Sequence, residues 1–312
     1  MKVLITGGAG FIGSHLLDKL IAEQHEICVL DNFSYGKNKY LPQEGFRLVE
    51  GDITNKETVH QCFLEFQPNL VFHLAALHHI PTCENKPDEA LKINVEGTQH
   101  ILNAAKEIDQ LQRIVFASSG AVYDIVDQAL LEDSTPTVPY DVYSVSKLSG
   151  EYLMRLWSNK YGKQAIVGRI FNTIGGRETN DHLVPEIITQ ILSGKQTIEL
   201  GNLDPKRSYI DARDTSSALF HLGFYNTNKR FDVFNIGRED EFDVKDIVTF
   251  LGQAHGHSIH IEQVASRMRK VDRKRQLASI EKIYKETGWS PIHSVAEGIL
   301  YAYQFDKEKR MR

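Results

Sequence analysis

Tyr143 and Lys147 stand four residues apart in the stretch Pro139-Tyr140-Asp141-Val142-Tyr143-Ser144-Val145-Ser146-Lys147. On a helix, positions i and i+4 share one face about 6 Å apart. A free tyrosine has a pKa of about 10 and is a poor base near neutrality. An ammonium beside it favours the phenolate and draws that pKa down, so the pair has the makings of a proton shuttle. Ser118-Ser119 closes an earlier apolar run. A hydroxyl at such a strand end can hydrogen-bond a substrate hydroxyl or carbonyl, or it can simply cap the strand. No G-x-S-x-G elbow surrounds it, which excludes the usual hydrolase pattern.

A second constellation lies at the start of the chain. Gly7-Gly8-Ala9-Gly10-Phe11-Ile12-Gly13 follows an apolar strand and opens a helical pattern. In that context the glycines have separate uses: Gly7 for a tight turn, Gly10 for close approach of a pyrophosphate to the helix N-terminus, Gly13 for packing of helix on sheet. Asp31 ends the next strand, 18 residues after Gly13. A carboxylate there accepts from adenosine ribose hydroxyls and repels a 2′-phosphate, which favours NAD over NADP. Lys37 is the nearest following cation and keeps NADP open. Asp52-Ile53 ends the third strand, where it can meet adenine or cap the helix ahead of Asn55. The small residues of His73-Leu74-Ala75-Ala76 allow backbone approach to a cofactor. No ligand-spaced partner cluster accompanies His73, and adjacent His78-His79 are not expected to converge on one ion, so no metal site is expected.

These residues need elements to hold them. Strands are expected at residues 2–6, 26–30, 46–50, 70–74, 113–117 and 164–170, with helices at 11–23, 55–66, 88–108 and 143–161 between them. Apolar strands alternating with helices specify a parallel α/β sheet covered on both faces, doubly wound because crossovers are right-handed. Past Gly175 the texture changes. Helices are expected at 183–192, 214–225, 244–255 and 295–303, a short strand at 206–211, and a strand at 231–236 that returns to the sheet. The organisation expected is a nucleotide-binding unit over residues 1–175 and a smaller, mainly substrate-binding unit over 176–312.

Composition narrows the rest. The chain has 312 residues, 41% of them hydrophobic and 25% charged, with a net charge of −5. That charge gives no reason to expect nucleic acid. Cys28, Cys62 and Cys83 are odd in number and widely spaced, which argues against disulfides or a zinc site. No stretch reads as a signal peptide or approaches the roughly 20 apolar residues of a membrane span. The cytoplasm is the expected location.

Taken together, the motifs resemble the extended short-chain dehydrogenase/reductases, in the nucleotide-sugar epimerase/dehydratase group. The resemblance runs from Lys2 to about Ile299. It rests on Gly7-x-x-Gly10-x-x-Gly13, Asp31, Gly51-Asp52-Ile53, His73-Leu74-Ala75-Ala76, Asn94-Val95-Glu96-Gly97-Thr98, Ser118-Ser119, Tyr143-x-x-x-Lys147, Arg169-Ile170-Phe171-Asn172, Lys206-Arg207-Ser208-Tyr209 and Gly288-Trp289-Ser290-Pro291. It implies a Rossmann fold and a catalytic triad of Ser119, Tyr143 and Lys147, with Lys147 also on the nicotinamide ribose. It implies NAD held by Gly7, Gly10, Phe11, Ile12, Gly13, Asp31, Asn32, Asp52, Ile53, Leu74, Ala75, Ala76, Asn94, Tyr143 and Lys147. It also implies that Ser119 and Asn172 contact the sugar and that Arg207 and Arg269 meet the nucleotide diphosphate. Arginine's planar fork suits phosphate oxygens. The basic run from Arg267 to Arg275 would then line part of that site, or be a solvated loop.

Two positions sort the reactions of the group. Members that eliminate water resemble a pattern with an acidic pair just after the catalytic serine or threonine, and decarboxylating ones usually have a glutamate at the second position. Here both positions are occupied by Gly120 and Ala121, which cannot transfer protons. The expectation is an NAD-dependent 4-epimerase of a UDP-type sugar nucleotide, working through a 4-keto intermediate. The alternatives are a reductase of a 4-keto nucleotide sugar, a 4,6-dehydratase, and a non-catalytic sensor of NAD or sugar nucleotide. Asp124, Gly176, Ser208 and Asp211 depart from the group's usual residues, and Val122, Asp124, Thr173, Ile174 and Arg177 are expected to bear on which base and which sugar are bound. A homodimer through the 88–108 and 143–161 helices is also expected from the resemblance.

Overall fold

Strands apolar on both faces need helices on both sides. The computed structural model describes residues 1–268 and 273–311. Its first six strands are β1 (Lys2–Thr6), β2 (Glu26–Asp31), β3 (Arg47–Glu50), β4 (Leu70–His73), β5 (Arg113–Ser119) and β6 (Gln164–Ile170). Four short strands follow: β7 (Asn172–Ile174), β8 (Thr197–Leu200), β9 (Lys206–Arg207) and β10 (Tyr209–Asp211). Then β11 (Phe231–Ile236) rejoins the first set, and β12 (His260–Gln263) and β13 (Arg275–Gln276) come last. The large sheet is parallel throughout, in the order β11-β6-β5-β4-β1-β2-β3. That order reverses between β1 and β4, and a reversal leaves a crevice at the carboxyl ends of the strands.

The helices are α1 (Phe11–Ala22), α2 (Lys56–Phe66), α3 (Ile80–Asn85), α4 (Pro87–Leu91), α5 (Gly97–Ala105), α6 (Val142–Tyr161), α7 (Leu183–Leu192), α8 (Ala212–Phe224), α9 (Val244–His255), α10 (Glu281–Thr287) and α11 (Val295–Met311). On one face of the sheet, Leu16, Leu17 and Leu20 of α1 bury with Leu219 and Leu222 of α8 over Val3 and Ile5. On the other, Phe63 of α2, Ile101 of α5 and Met154 and Trp157 of α6 bury over Leu4, Val71 and Ile114. Each such side chain contributes about 1.5–3 kcal/mol of apolar transfer. A third cluster joins Ile187 and Ile191 of α7, Ile198 of β8, Ile247 and Leu251 of α9 and Ile299 of α11.

The doubly wound sheet is as expected, and so is the return of β11. The helix expected over 88–108 is instead α4, a π-helical turn at Lys92–Glu96, and α5. The residues expected to form one strand at 206–211 divide their pairing: β9 joins β13 and β10 joins β7. The C-terminal helix does not stop near Tyr303, and what reads as a solvated tail continues it to Met311. Residues after 175 also enter the main core, through Ala218, Leu222, Phe234 and Trp289.

The start of α6 is firmly set. The Asp141 carboxylate accepts from Ser144 N–H at 2.7 Å, and the Ser144 hydroxyl accepts from Asp141 N–H at 3.1 Å. This reciprocal cap satisfies donors that a helix start would otherwise leave open. Tyr143 therefore sits in a fixed first turn.

Candidate active site

The carboxyl ends of the central strands open on a cavity of about 1,000 Å³ that extends to Arg207 and the N-terminus of α7. The glycine turn forms one wall. Gly7 has φ +75°, and a Cβ there would lie 2.7 Å from Ala75 N. A Cβ on Gly13 would lie 2.1 Å from the Gly7 carbonyl oxygen. Only hydrogen atoms fit at these two points, and the first turn of α1 is thereby brought to the cavity, where Gly10, Phe11, Ile12 and Gly13 line it.

Asp31 lies at the next strand end. Its two carboxylate oxygens accept from Ala9 N–H at 2.9 Å and Phe33 N–H at 2.8 Å. Burial raises its pKa, and those two amides oppose the rise. Asn32 donates to Asp52 at 2.7 Å, and Asp52 accepts from Thr54 N–H at 2.7 Å. The cap of α2 is Asn55, which accepts from Thr58 N–H, so Asp52 does not cap that helix. Burial works against the Asp52 carboxylate, but hydrogen bonds from Thr54 and Asn32 prevail and lower its pKa. Ile53, Leu74, Ala75 and Ala76 complete this wall. A tight glycine turn at a helix N-terminus, with two carboxylates beyond it, fits a dinucleotide.

His73 is structural. Its Nδ1 meets Thr6 Oγ1 at 2.7 Å and its Nε2 meets Thr98 Oγ1 at 2.9 Å. Because Thr98 donates to the Asn94 carbonyl, the histidine donates from Nε2 and accepts at Nδ1. Burial lowers its pKa to about 3. Asn94 is a correction. It is not on the cavity wall: it is buried, donates to Leu77 O and Ser146 Oγ, and accepts from Leu77 N–H. It braces the segment after β4 against α6.

Ser119, Tyr143 and Lys147 share the cavity's inner end. The Ser119 hydroxyl accepts from Ala121 N–H at 3.1 Å. Tyr143 does not behave as its spacing from Lys147 suggests. Burial pushes the phenol well above its ordinary pKa, and a hydrogen bond with Ser119 is what opposes the rise. The ammonium of Lys147 is turned to Ala117 O, 2.9 Å away, and stands 5.9 Å from the Tyr143 ring centroid. Burial lowers the Lys147 pKa to about 8.

Asn172 and Arg207 also line the cavity; Arg207 donates to the carbonyls of Lys206 and Arg273. Arg269 lies outside the described residues. The basic run is not one solvated loop: Arg267 pairs with Glu186, Arg275 with Glu241, and Arg273 donates to Ala121 O and Tyr123 O, each at 2.8 Å. Of the five residues expected to bear on the substrate, Thr173 and Ile174 line the cavity. Val122 is in the core, Asp124 accepts from the Tyr140 hydroxyl, and Arg177 pairs with Asp18 of α1.

Several wall residues escape sequence reasoning. Gln276 is only 9% exposed and lines the cavity, and a Cβ on Gly120 would lie 3.2 Å from its Nε2. His78 and His79 share a ring neighbour rather than an ion: the rings of both lie 5.6 Å from that of His182, and Asn180 meets His78 Nε2 at 2.9 Å. Their partner is over 100 residues away, so spacing carries no signal of it. Burial lowers the His78 pKa to about 3. Among the described residues, no cluster of three or more histidine, cysteine or acidic side chains is arranged to hold a metal ion.

A doubly wound sheet with a glycine turn at its switch point and a tyrosine–lysine pair on the same rim defines a dinucleotide-dependent protein of the short-chain dehydrogenase type. The chain belongs to the NAD-dependent epimerase/dehydratase family, whose model matches residues 3–237. It is 32% identical to the UDP-glucose 4-epimerase of Corynebacterium glutamicum over 309 residues, covering 94% of this chain and 92% of that one. Two solved structures are close in fold. The UDP-glucose 4-epimerase of Thermotoga maritima, with UDP-glucose, superposes with a TM-score of 0.91 at 27% identity, covering 99% of this chain and 100% of the other. That of Thermus thermophilus, complexed with NAD, superposes with a TM-score of 0.89 at 27% identity, covering 98% and 99%.

Proposed function

We propose that this chain is an NAD-dependent 4-epimerase of a nucleotide-diphosphate hexose, with a UDP-sugar favoured. The observation that carries this is the inner end of the cavity. Ser119, Tyr143 and Lys147 meet there, Gly120 and Ala121 supply no acid, and Gln276 and the Phe171 ring already crowd the space that a side chain on residue 120 would take. Proton transfer at one carbon is provided for, whereas elimination across two carbons needs a further acid and base.

The Ser119 hydroxyl and the Tyr143 oxygen, ionised to the phenolate, hold the C4 hydroxyl of the sugar. Tyr143 takes that proton and later returns it, with Ser119 hydrogen-bonding the phenolate. Lys147, fixed by Ala117 O, keeps a positive charge at the same end. NAD, when bound, supplies the hydride acceptor at C4 and a positive charge that favours the phenolate. The cavity leaves room for the 4-keto sugar to present its other face.

The glycine turn and the first turn of α1 receive the pyrophosphate. Asp31 and Asn32 take the adenosine ribose, Asp52 and Ile53 the adenine, and the backbone at Leu74, Ala75 and Ala76 lies along the cofactor. Asn172 and Arg207 serve the sugar nucleotide. In this reading residues 1–175, with β11, form the NAD unit, and residues 176–312 mainly shape the substrate end. An exposed apolar stripe on α6, Val145, Tyr152 and Leu156, supports a homodimer. Three free, buried cysteines are in keeping with the cytoplasm. No helix of the described residues is long and apolar enough to cross a membrane.

The test is the purified protein itself. Bound NAD in the acid extract, with interconversion of UDP-glucose and UDP-galactose and no net NADH oxidation, is the expected result. Tyr143→Phe keeps its NAD and loses activity by a factor of at least about 100. Stoichiometric consumption of NADH by a 4-keto sugar, or a fully active Tyr143→Phe, overturns the reading.

A further inference from the structure

Glu151 lies four residues beyond Lys147 and eight beyond Tyr143 on α6, so all three project from one side of the helix. It is not on the cavity wall. One carboxylate oxygen accepts from the Ser118 hydroxyl at 2.5 Å and from Arg169 Nε at 3.0 Å. The other accepts from Arg169 Nη2 at 2.7 Å. Both charged side chains are only 6% exposed. Arg169 belongs to β6 and lies 4.5 Å over the Tyr123 ring, whose hydroxyl donates to Asn235 of β11 at 2.7 Å. Arg169 Nη1 is buried without a hydrogen-bond partner.

Such a pair is a poor way to gain stability. Desolvating two ions offsets much or all of their attraction, and apolar side chains of similar size often do as well. A bidentate guanidinium–carboxylate pair instead supplies direction, because both hydrogen bonds form at only one rotation and one height. Ser118 immediately precedes Ser119. α6 is thus tied to the end of β5 at two successive turns, by Lys147 to Ala117 O and by Glu151 to Ser118, and to β6 by Arg169.

We propose that Glu151, Arg169 and Ser118 are positioning residues. They fix the rotation and height of α6 against β5 and β6, and thereby set Tyr143 against Ser119. The inference rests on the reading of Ser119, Tyr143 and Lys147 as the reacting end. A displacement of about 1 Å at a reacting group can cost roughly a hundredfold in rate, so the signature is in kcat.

Two variants test it, with rates normalised to retained NAD. Glu151→Met with Arg169→Met removes both charges together. The expected result is a melting temperature held or raised, KM for the sugar nucleotide within about twofold, and kcat lower by roughly tenfold to a hundredfold. Ser118→Ala removes the tie to β5 and is expected to lower kcat by about tenfold; because Ser118 also lines the cavity, an unchanged KM is the readout that separates loss of the tie from loss of a substrate contact. A folded double variant turning over at the wild-type rate overturns the proposal. If the double variant does not fold, Ser118→Ala decides, and full kcat in it overturns the proposal. Tyr143→Phe in parallel separates the two readings. If it is inactive while these variants are fully active, only the positioning role fails.

Discussion

The ammonium of Lys147 donates to the carbonyl oxygen of Ala117 at 2.9 Å, so the strand end and not the Tyr143 phenol holds it. Lys147 is 4% exposed. Its charge is retained in a place that disfavours charge, and burial brings its pKa to about 8.

Activity is therefore expected to fall as pH rises above about 8, with the slope of a single group, and the residual activity of Lys147→Met is expected to lack that limb. The same shift acts on stability. The folded pKa lies below the unfolded value of about 10.4, so between those two values the unfolded chain binds more protons at this site. This group's contribution to stability consequently rises with pH from about 8 to about 10.4. Urea unfolding at pH 7.5 and 9.5 is expected to show a more positive change for the wild type than for Lys147→Met. Equal changes in the two proteins would refute the assignment.

Gly13→Ala tests the cradle. Its Cβ would lie 2.1 Å from the Gly7 carbonyl oxygen, which is backbone and cannot swing aside. The start of α1 must move off the sheet, at a cost of about 1–3 kcal/mol or more. A lower melting temperature and a purified variant largely free of NAD are expected. Normal NAD content would mean that the pyrophosphate lies elsewhere.

Much of this was legible in the sequence because it is local. Apolar periodicity marks the sheet strands, the glycine spacing marks the turn, and four-residue spacing marks Tyr143 and Lys147. What was not legible depends on partners distant in the chain. Nothing near Tyr143 says that burial, opposed by Ser119, sets its pKa in place of Lys147, since that burial comes from the fold as a whole. Asn94 reads as a cofactor residue, but its amide is spent on Leu77 and Ser146. Gln276 meets Gly120 only because β13 pairs with β9. The 88–108 helix keeps its place, yet its π-helical turn leaves no mark in hydrophobic spacing.

In the proposed reading, Asp31 sets the choice of cofactor. Its carboxylate is held by Ala9 and Phe33 amides, so it cannot turn away from an incoming 2′-phosphate. Asp31→Ser is expected to narrow the preference for NAD over NADP by at least about tenfold in fluorescence titrations. It should also lose about 1–3 kcal/mol of stability, because two amides lose an ionised partner. An unchanged preference would show that another group discriminates.

The outer face of α6 carries the proposed dimer seam. Val145, Tyr152 and Leu156 recur at helical spacing and are 42%, 56% and 66% exposed. Leu91 of α4, on an element that packs against α6, is 39% exposed. A stripe of this kind on a helix whose other face is buried is an unpaired seam. A second copy meeting it about a two-fold axis would bring the same stripe to itself and form a closed interface. Light scattering on the eluting protein is expected to give twice the chain's mass. Tyr152→Glu with Leu156→Glu places four like charges in the paired seam and is expected to give the chain's own mass. Because these side chains point away from the core, the variant's far-ultraviolet dichroism should match the wild type. A wild-type protein that elutes at the single-chain mass at every concentration would rule out this interface, and Leu156 would then be an ordinary exposed leucine.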